Sequence, residues 1–228
     1  MKFIVLEGLD GAGKSTQIRL LGNYLEQSKQ PYRYIKFPRT DVPVYGELIA
    51  RFLRGELGPV QSVNPYLVAL IYAGDRAEAS RHIREWLNSG FLVIADRYIT
   101  SNIAYQCAKI TAPEEREKLK EWIIRLEYSH YSIPVPDISL FLDVPDEFTA
   151  RNLTTERKGT DRTYLEGRKD IHEEDLGFQS QVRKMYLEQV RTDHSFIRID
   201  CSDGGTMLPP EKIFNTMLQV LKKQEMVK

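Results

Sequence analysis

Five short apolar runs punctuate the chain: Lys2-Phe3-Ile4-Val5-Leu6, Tyr32–Phe37, Phe91–Ala95, Ile138–Val144 and Phe196–Ile199. Such runs suit strands buried on both faces. Between them, apolar positions recur at helical spacing. Ser15–Gln27 carries Ile18, Leu21 and Leu25 on one stripe, and 64–88 carries Leu67, Leu70, Ile71, Ile83 and Leu87. The same periodicity predicts helices over 45–54, 99–110, 114–130, 145–153, 173–191 and 210–223. Strands alternating with helices predict an α/β fold, a five-stranded parallel sheet with helices on both faces. No repeat, low-complexity segment or linker interrupts the pattern, so a single domain over 1–228 is expected.

Two stretches are too polar for the core. One is the proline-bearing loop 40–46. The other, "TTERKGTDRTYLEGRKD" at 154–170, holds Arg157, Lys158, Arg162, Arg168 and Lys169, with Arg151 just ahead of it. Charge runs usually form solvated faces. A mobile basic flap closing over a phosphate is the functional alternative.

Charge narrows the partners. Lys+Arg and Asp+Glu balance at 32 each, so no bulk charge argues for nucleic acid or an acidic membrane. No apolar run nears the length of a membrane span, and the chain enters a strand at once, so no secretory segment is expected. Cys107 and Cys201 lie far apart and fit no metal pattern, reading as small core residues in a reducing compartment. The four histidines show no ligand spacing. A cytoplasmic protein is expected.

The chemistry begins at "GLDGAGKST". Gly8 to Ser15 reads G-x-x-x-x-G-K-[ST], a loop whose backbone N–H groups cradle phosphates while its lysine reaches the outer ones. A strand ahead and a helix behind are the context this loop requires. Gly8, Leu9, Asp10, Gly11, Ala12, Gly13, Lys14, Ser15 and Thr16 are therefore expected at a nucleotide's phosphates. Asp10 is the discordant member, a carboxylate inside an anion cradle.

"DRY" at Asp96-Arg97-Tyr98 ends the third strand, where ligands of parallel sheets bind. It joins "FPR" at 37–39, "AGDRAE" at 73–78, "SNIAYQ" at 101–106, "LFLDVPDE" at 140–147 and a D-x-x-E at Asp170 and Glu173. In this order and spacing the set resembles the thymidylate kinases, from residue 2 to about residue 200. The resemblance implies a P-loop nucleoside monophosphate kinase-like fold and transfer of the γ-phosphoryl group of ATP to dTMP, with Mg²⁺ as cofactor. It implies Lys14 on the ATP phosphates, Arg151 nearby, and Ser15 and Asp96 at the Mg²⁺, Asp96 through water. Arg97 would clamp the dTMP phosphate with Arg39 as a second contact, and Phe37 would lie against the base. Arg76 and Asn102 would face the thymine edge, Tyr105 would crowd the sugar's 2′ position, and Asp10 would accept from the 3′-OH.

Thymidylate kinases bring an arginine to the γ-phosphoryl group from the phosphate loop or from the lid. Gly11 follows Asp10 here, so the chain resembles the lid type, with Arg157 and Arg162 as candidates. A cis Phe37-Pro38 bond and a homodimer built through 64–88 are further implications. Tyr72 and Gly74 stand where larger apolar residues are common, and His172 where an aromatic is. For His172, exposure and a substrate contact are both open. Another pyrimidine nucleoside monophosphate as acceptor, or a non-catalytic nucleotide-binding module, remains an alternative. A GTP switch does not fit, since the late strand reads "RIDCSDGG" without a guanine-reading N/T-K-x-D.

Overall fold

Alternate residues of the first strand leave the sheet on opposite sides: Phe3 and Val5 enter one apolar cluster, Ile4 and Leu6 the other. That is the mark of a strand sandwiched between helical layers. The computed structural model describes residues 2–154, 160–168, 170–173 and 175–228, the side chains of 153, 154 and 160–162 excepted. Arg157, Lys158 and Lys169 lie outside the described residues, and so does the side chain of Arg162.

The strands are β1 (Lys2–Gly8), β2 (Tyr32–Lys36), β3 (Leu92–Asp96), β4 (Ile138–Asp143) and β5 (Phe196–Asp200). They pair in parallel in the order β2-β3-β1-β4-β5. Helices α1 (Lys14–Gln27) and α8 (Pro210–Lys223) cover one face. On the other lie α3 (Pro65–Asn88), α4 (Ile99–Cys107), α5 (Pro113–Ile124) and α7 (Leu176–Thr192). Helix α2 (Tyr45–Leu53) packs on α3, and α6 (Asp146–Thr154) follows β4. The order puts β1 between β3 and β4, so the first loop and the "DRY" turn leave adjacent strand ends, the position at which open parallel sheets bind ligands.

Four details depart from the periodicity. The helix expected over 114–130 changes at Arg125 into a π-helical turn, Arg125–His130. Part of the polar stretch, Thr160–Leu165, forms a 3₁₀ helix. A small antiparallel hairpin, β6 (Ser202–Asp203) with β7 (Thr206–Met207), follows the last parallel strand. Along α3 the expected stripe holds only in part: Ile83 and Leu87 are buried, but Leu67 is 59% and Leu70 38% exposed. The helix instead buries small and polar residues, among them Ala69, Ala73, Asp75, Arg76 and Ser80, because that face serves a polar cavity as well as the core. Gly74 belongs to it, since a Cβ there would lie 2.2 Å from the Tyr45 ring. Cys107 and Cys201 are buried free thiols, their pKa values pushed up to about 12 by burial. Among the described residues no helix is long and apolar enough to cross a membrane.

Candidate active site

The loop between β1 and α1 turns on Gly11 and Gly13, whose φ values of 76° and 84° lie in the left-handed region that glycine enters without strain. The first turn of α1, where the N–H groups of Thr16 and Gln17 donate to the Gly13 carbonyl and those of Lys14 and Ser15 have no backbone partner among the described residues, then faces a cavity of about 810 Å³, a natural anion site. Asp10 to Thr16 line that cavity, while Gly8 and Leu9 sit behind it, and the Leu9 side chain lies in the core. Lys14 Nζ donates to the carbonyls of Gly8 at 3.3 Å and Leu9 at 3.1 Å. Burial first, then repulsion from Arg97, lowers its pKa to about 8. At neutral pH it therefore remains largely a charged ammonium at the cavity wall.

Arg97 is the centre of the opposite wall. Its φ of 68° is costly for a residue with a side chain, and such strain needs support from its surroundings. Glu7, buried at the end of β1, provides it by accepting from the N–H groups of Tyr98 at 2.8 Å and Ser101 at 3.2 Å. A carboxylate from the neighbouring strand thereby caps α4, with the hydroxyls of Thr100, Ser101 and Tyr186 also donating to it. From this turn Arg97 Nη2 reaches Asp10 Oδ1 at 2.9 Å and Tyr105 Oη at 3.2 Å, while Nη1 reaches Ser101 Oγ at 3.2 Å.

Asp10 therefore turns away from the phosphate cradle. Its other oxygen accepts from Tyr105 Oη at 2.7 Å and Gln179 Nε2 at 3.4 Å. Burial alone would raise this carboxyl, but Arg97, Lys14 and the Tyr105 hydroxyl hold it well below the usual carboxylate range. Phe37, Arg39, Arg76, Asn102 and Tyr105 line the same cavity, and the Phe37-Pro38 bond is cis. Arg39 is engaged with Asp75, through Nε at 2.7 Å and its own N–H at 3.0 Å, and with Glu78. Asp96 also lines the cavity, and its buried Oδ1 lacks a partner among the described residues. Arg151 is outside the lining and packs over the Phe148 ring at 5.5 Å.

The family model for thymidylate kinase matches residues 6–207. The chain belongs to the thymidylate kinase family. Thymidylate kinase from Fervidobacterium nodosum is 31% identical over 220 residues, covering 95% of this chain and all of that one. A probable thymidylate kinase from Pyrobaculum aerophilum is 32% identical over 225 residues, covering 98% and 97%. The solved thymidylate kinase of Candida albicans aligns with a TM-score of 0.73 at 25% identity, over 99% of this chain and 92% of its own. The chain is accordingly an ATP-dependent kinase that phosphorylates dTMP to dTDP.

Several residues of this kinase site escape a reading of its motifs. Glu7, Glu127, Gln179 and Tyr186 each hold a motif residue in place, across long separations in sequence, and Asp75, inside "AGDRAE", does the same for Arg39. Glu127 had a signal: Leu119 and Ile123 mark a buried stripe on α5, and residue 127 continues it with an acid. A charged residue on an apolar stripe has a buried partner. His172 is buried rather than exposed, stacked on Phe178 (centroids 5.6 Å apart) and tilted against Tyr105 (4.9 Å), and it lines the cavity. Burial and the nearby Lys109 lower its pKa to about 3. Beside it, burial and then Asp10 push Asp170 up to about 7.

Proposed function

We propose that the cavity holds both substrates at once, with the phosphate loop serving ATP and the Arg97 wall serving dTMP. The observation that carries this reading is Asp10 paired with Arg97 and Tyr105 rather than with the loop's own N–H groups. One loop thereby faces two ligands. The N–H groups from Gly11 to Thr16 and Lys14 take the ATP phosphates. Arg97, a planar fork, takes the phosphate of dTMP, and Asp10 and Tyr105 take the 3′ and 2′ sides of its sugar. Phe37 lies against the base, Arg76 and Asn102 meet its edge, and Arg39, oriented by Asp75, stands beside the acceptor phosphate.

A phosphomonoester has a second pKa of about 6, so the attacking oxygen is already ionised at neutral pH. It needs no general base. As its bond to the γ-phosphorus forms, the bond to the β-bridging oxygen breaks and ADP keeps that electron pair. Catalysis then reduces to alignment and to neutralising the phosphoryl oxygens. Mg²⁺ suits the residues present: Asp96 offers a buried, unpartnered carboxylate oxygen, and Ser15 a hydroxyl on the first turn of α1. Bound there, the ion would neutralise phosphate charge, with water and phosphate oxygens completing its shell. Arg157 or Arg162, from the basic stretch over about 154–170 acting as a lid, supplies the last positive charge; Gly11 in the loop, where an arginine would otherwise serve, supports this lid type. Arg151 flanks the ATP side. The kinase is one cytoplasmic domain that pairs as a homodimer through α3, whose exposed Leu67 and Leu70 suit a buried interface.

The test is ADP formation from ATP and Mg²⁺ with dTMP, dUMP, AMP and thymidine offered in turn. Turnover greatest with dTMP and absent with AMP and thymidine is the expected outcome. Preference for AMP or thymidine would overturn the assignment of the Arg97 wall.

A further inference from the structure

The amide of Asn102 has only one tenable orientation. Its Nδ2 donates to the carbonyl of Ala69 at 3.0 Å and to Glu127 Oε1 at 2.9 Å. Both partners are pure acceptors, so exchanging the amide's oxygen and nitrogen would press like charges together. Oδ1 therefore points away from them. It is buried without a partner among the described residues, on a side chain that lines the cavity. One turn along α4, Gln106 brings a second unpartnered acceptor, Oε1, to the same wall.

The same carboxylate fixes a donor. Glu127 grips Arg76 Nε at 2.5 Å and Nη2 at 2.6 Å, and no hydrogen bond engages Nη1 among the described residues. Arg76 and Glu127 are 2% and 0% exposed, so this pair is fully withdrawn from water. Glu127 reaches both partners from the π-helical turn after α5, a distortion often found at functional sites. One buried carboxylate thus sets an acceptor and a donor into one wall and forbids their exchange.

We propose that Glu127 is a positioning residue that makes this wall complementary to a 4-oxo pyrimidine and hostile to a 4-amino one. The proposal rests on the cavity being the acceptor-nucleotide site. A 4-oxo pyrimidine offers an N3–H donor beside an O4 acceptor, which match Asn102 Oδ1 and Arg76 Nη1. A 4-amino pyrimidine offers the reverse, setting the N3 lone pair against Oδ1 and an amino group against a guanidinium. Held by the Ala69 carbonyl alone, Asn102 would give up a single hydrogen bond to turn its amide toward either base. Glu127 removes that freedom, and with it the tolerance.

The test compares dTMP with 5-methyl-dCMP, which differs only along the 3,4 edge, by kcat/KM in the presence of ATP. Wild type is expected to favour dTMP by at least a hundredfold. Glu127→Gln, whose amide can donate as well as accept, lets Asn102 turn; the ratio should fall at least tenfold, through a raised KM for dTMP, with KM for ATP unchanged. An equal loss on both acceptors, the pattern of a purely structural acid, would overturn the proposal. So would a wild-type ratio below ten, which needs no variant. Should Glu127→Gln fail to fold, Asn102→Ala leaves the Arg76–Glu127 pair intact. It should cost dTMP at least tenfold while sparing 5-methyl-dCMP, and equal loss contradicts the idea. Absence of wild-type activity with dTMP would instead refute the function itself, so the two failures are distinguishable.

Discussion

His172 shows how a single side chain can set the acid response of the site. Buried between Tyr105 and Phe178 and beside Lys109, it stays neutral in the folded state down to about pH 3. An unfolded chain protonates its histidines near pH 6.5. Between these values the unfolded state binds the extra proton, so this residue's contribution weakens the fold as pH drops through that window. Asp170 acts in the opposite sense, since its folded-state pKa of about 7 favours the fold as pH falls toward the ordinary carboxylate value. Replacing His172 with Phe removes the first effect and leaves the second. Thermal unfolding of His172→Phe and wild type, compared from pH 7.5 to pH 4, should show an advantage for the variant that grows below pH 6.5. A constant difference would mean that His172 titrates normally in the folded protein. At this scale the sequence was legible where chemistry is local, as in Lys14, Ser15 and Arg97, whose motifs are contiguous. It was silent on Glu7 and Glu127, whose partners lie 91 and 51 residues away along the chain.

The elements divide by what stabilises them. The central strands β1, β3 and β4 were readable because nearly every position is buried, whereas the edge strands β2 and β5 are partly exposed; all five appear within a residue or two of expectation. Helix α3 was readable as a helix, but its facing only toward the C-terminal end, where Ile83 and Leu87 are buried. A cavity wall needs Arg76 and Asp75 turned inward, which displaces Leu67 and Leu70 to the surface. The hairpin β6–β7 left no periodic trace because its strands are two residues long. Helix α6 ties the glycine-rich loop to the chain that leads into the basic stretch, through Asn152 Nδ2 donating to the carbonyl of Gly11 at 2.9 Å. Replacing Arg157 and Arg162 with Ala in turn should lower kcat by about 10³-fold or more for one of them, with KM for dTMP within a few-fold. Steady-state kinetics with both substrates varied would show this. Near-wild-type kcat for both variants would rule out the lid as the source of the charge.

Across the whole molecule, strand order is what turns a list of motifs into a site. Placing β1 between β3 and β4 brings a loop that ends near residue 14 beside a turn at residue 97, and neither segment encodes that adjacency by itself. The consequence is a cavity with the glycine-rich loop and Lys14 on one wall and Arg97, braced by Glu7 through the backbone of its turn, on the other. The account stands on Arg97 gripping the acceptor's phosphate rather than merely packing beside Asp10. The most direct measurement is kcat/KM for dTMP in Arg97→Ala, alongside the Kd of ATP in the absence of acceptor. In a water-poor site, loss of the phosphate's charged partner should cost at least about a hundredfold in kcat/KM, with ATP affinity within a few-fold of wild type. A loss of tenfold or less, or an equal loss in ATP binding, would contradict the assignment and make Arg97 a structural partner of Asp10.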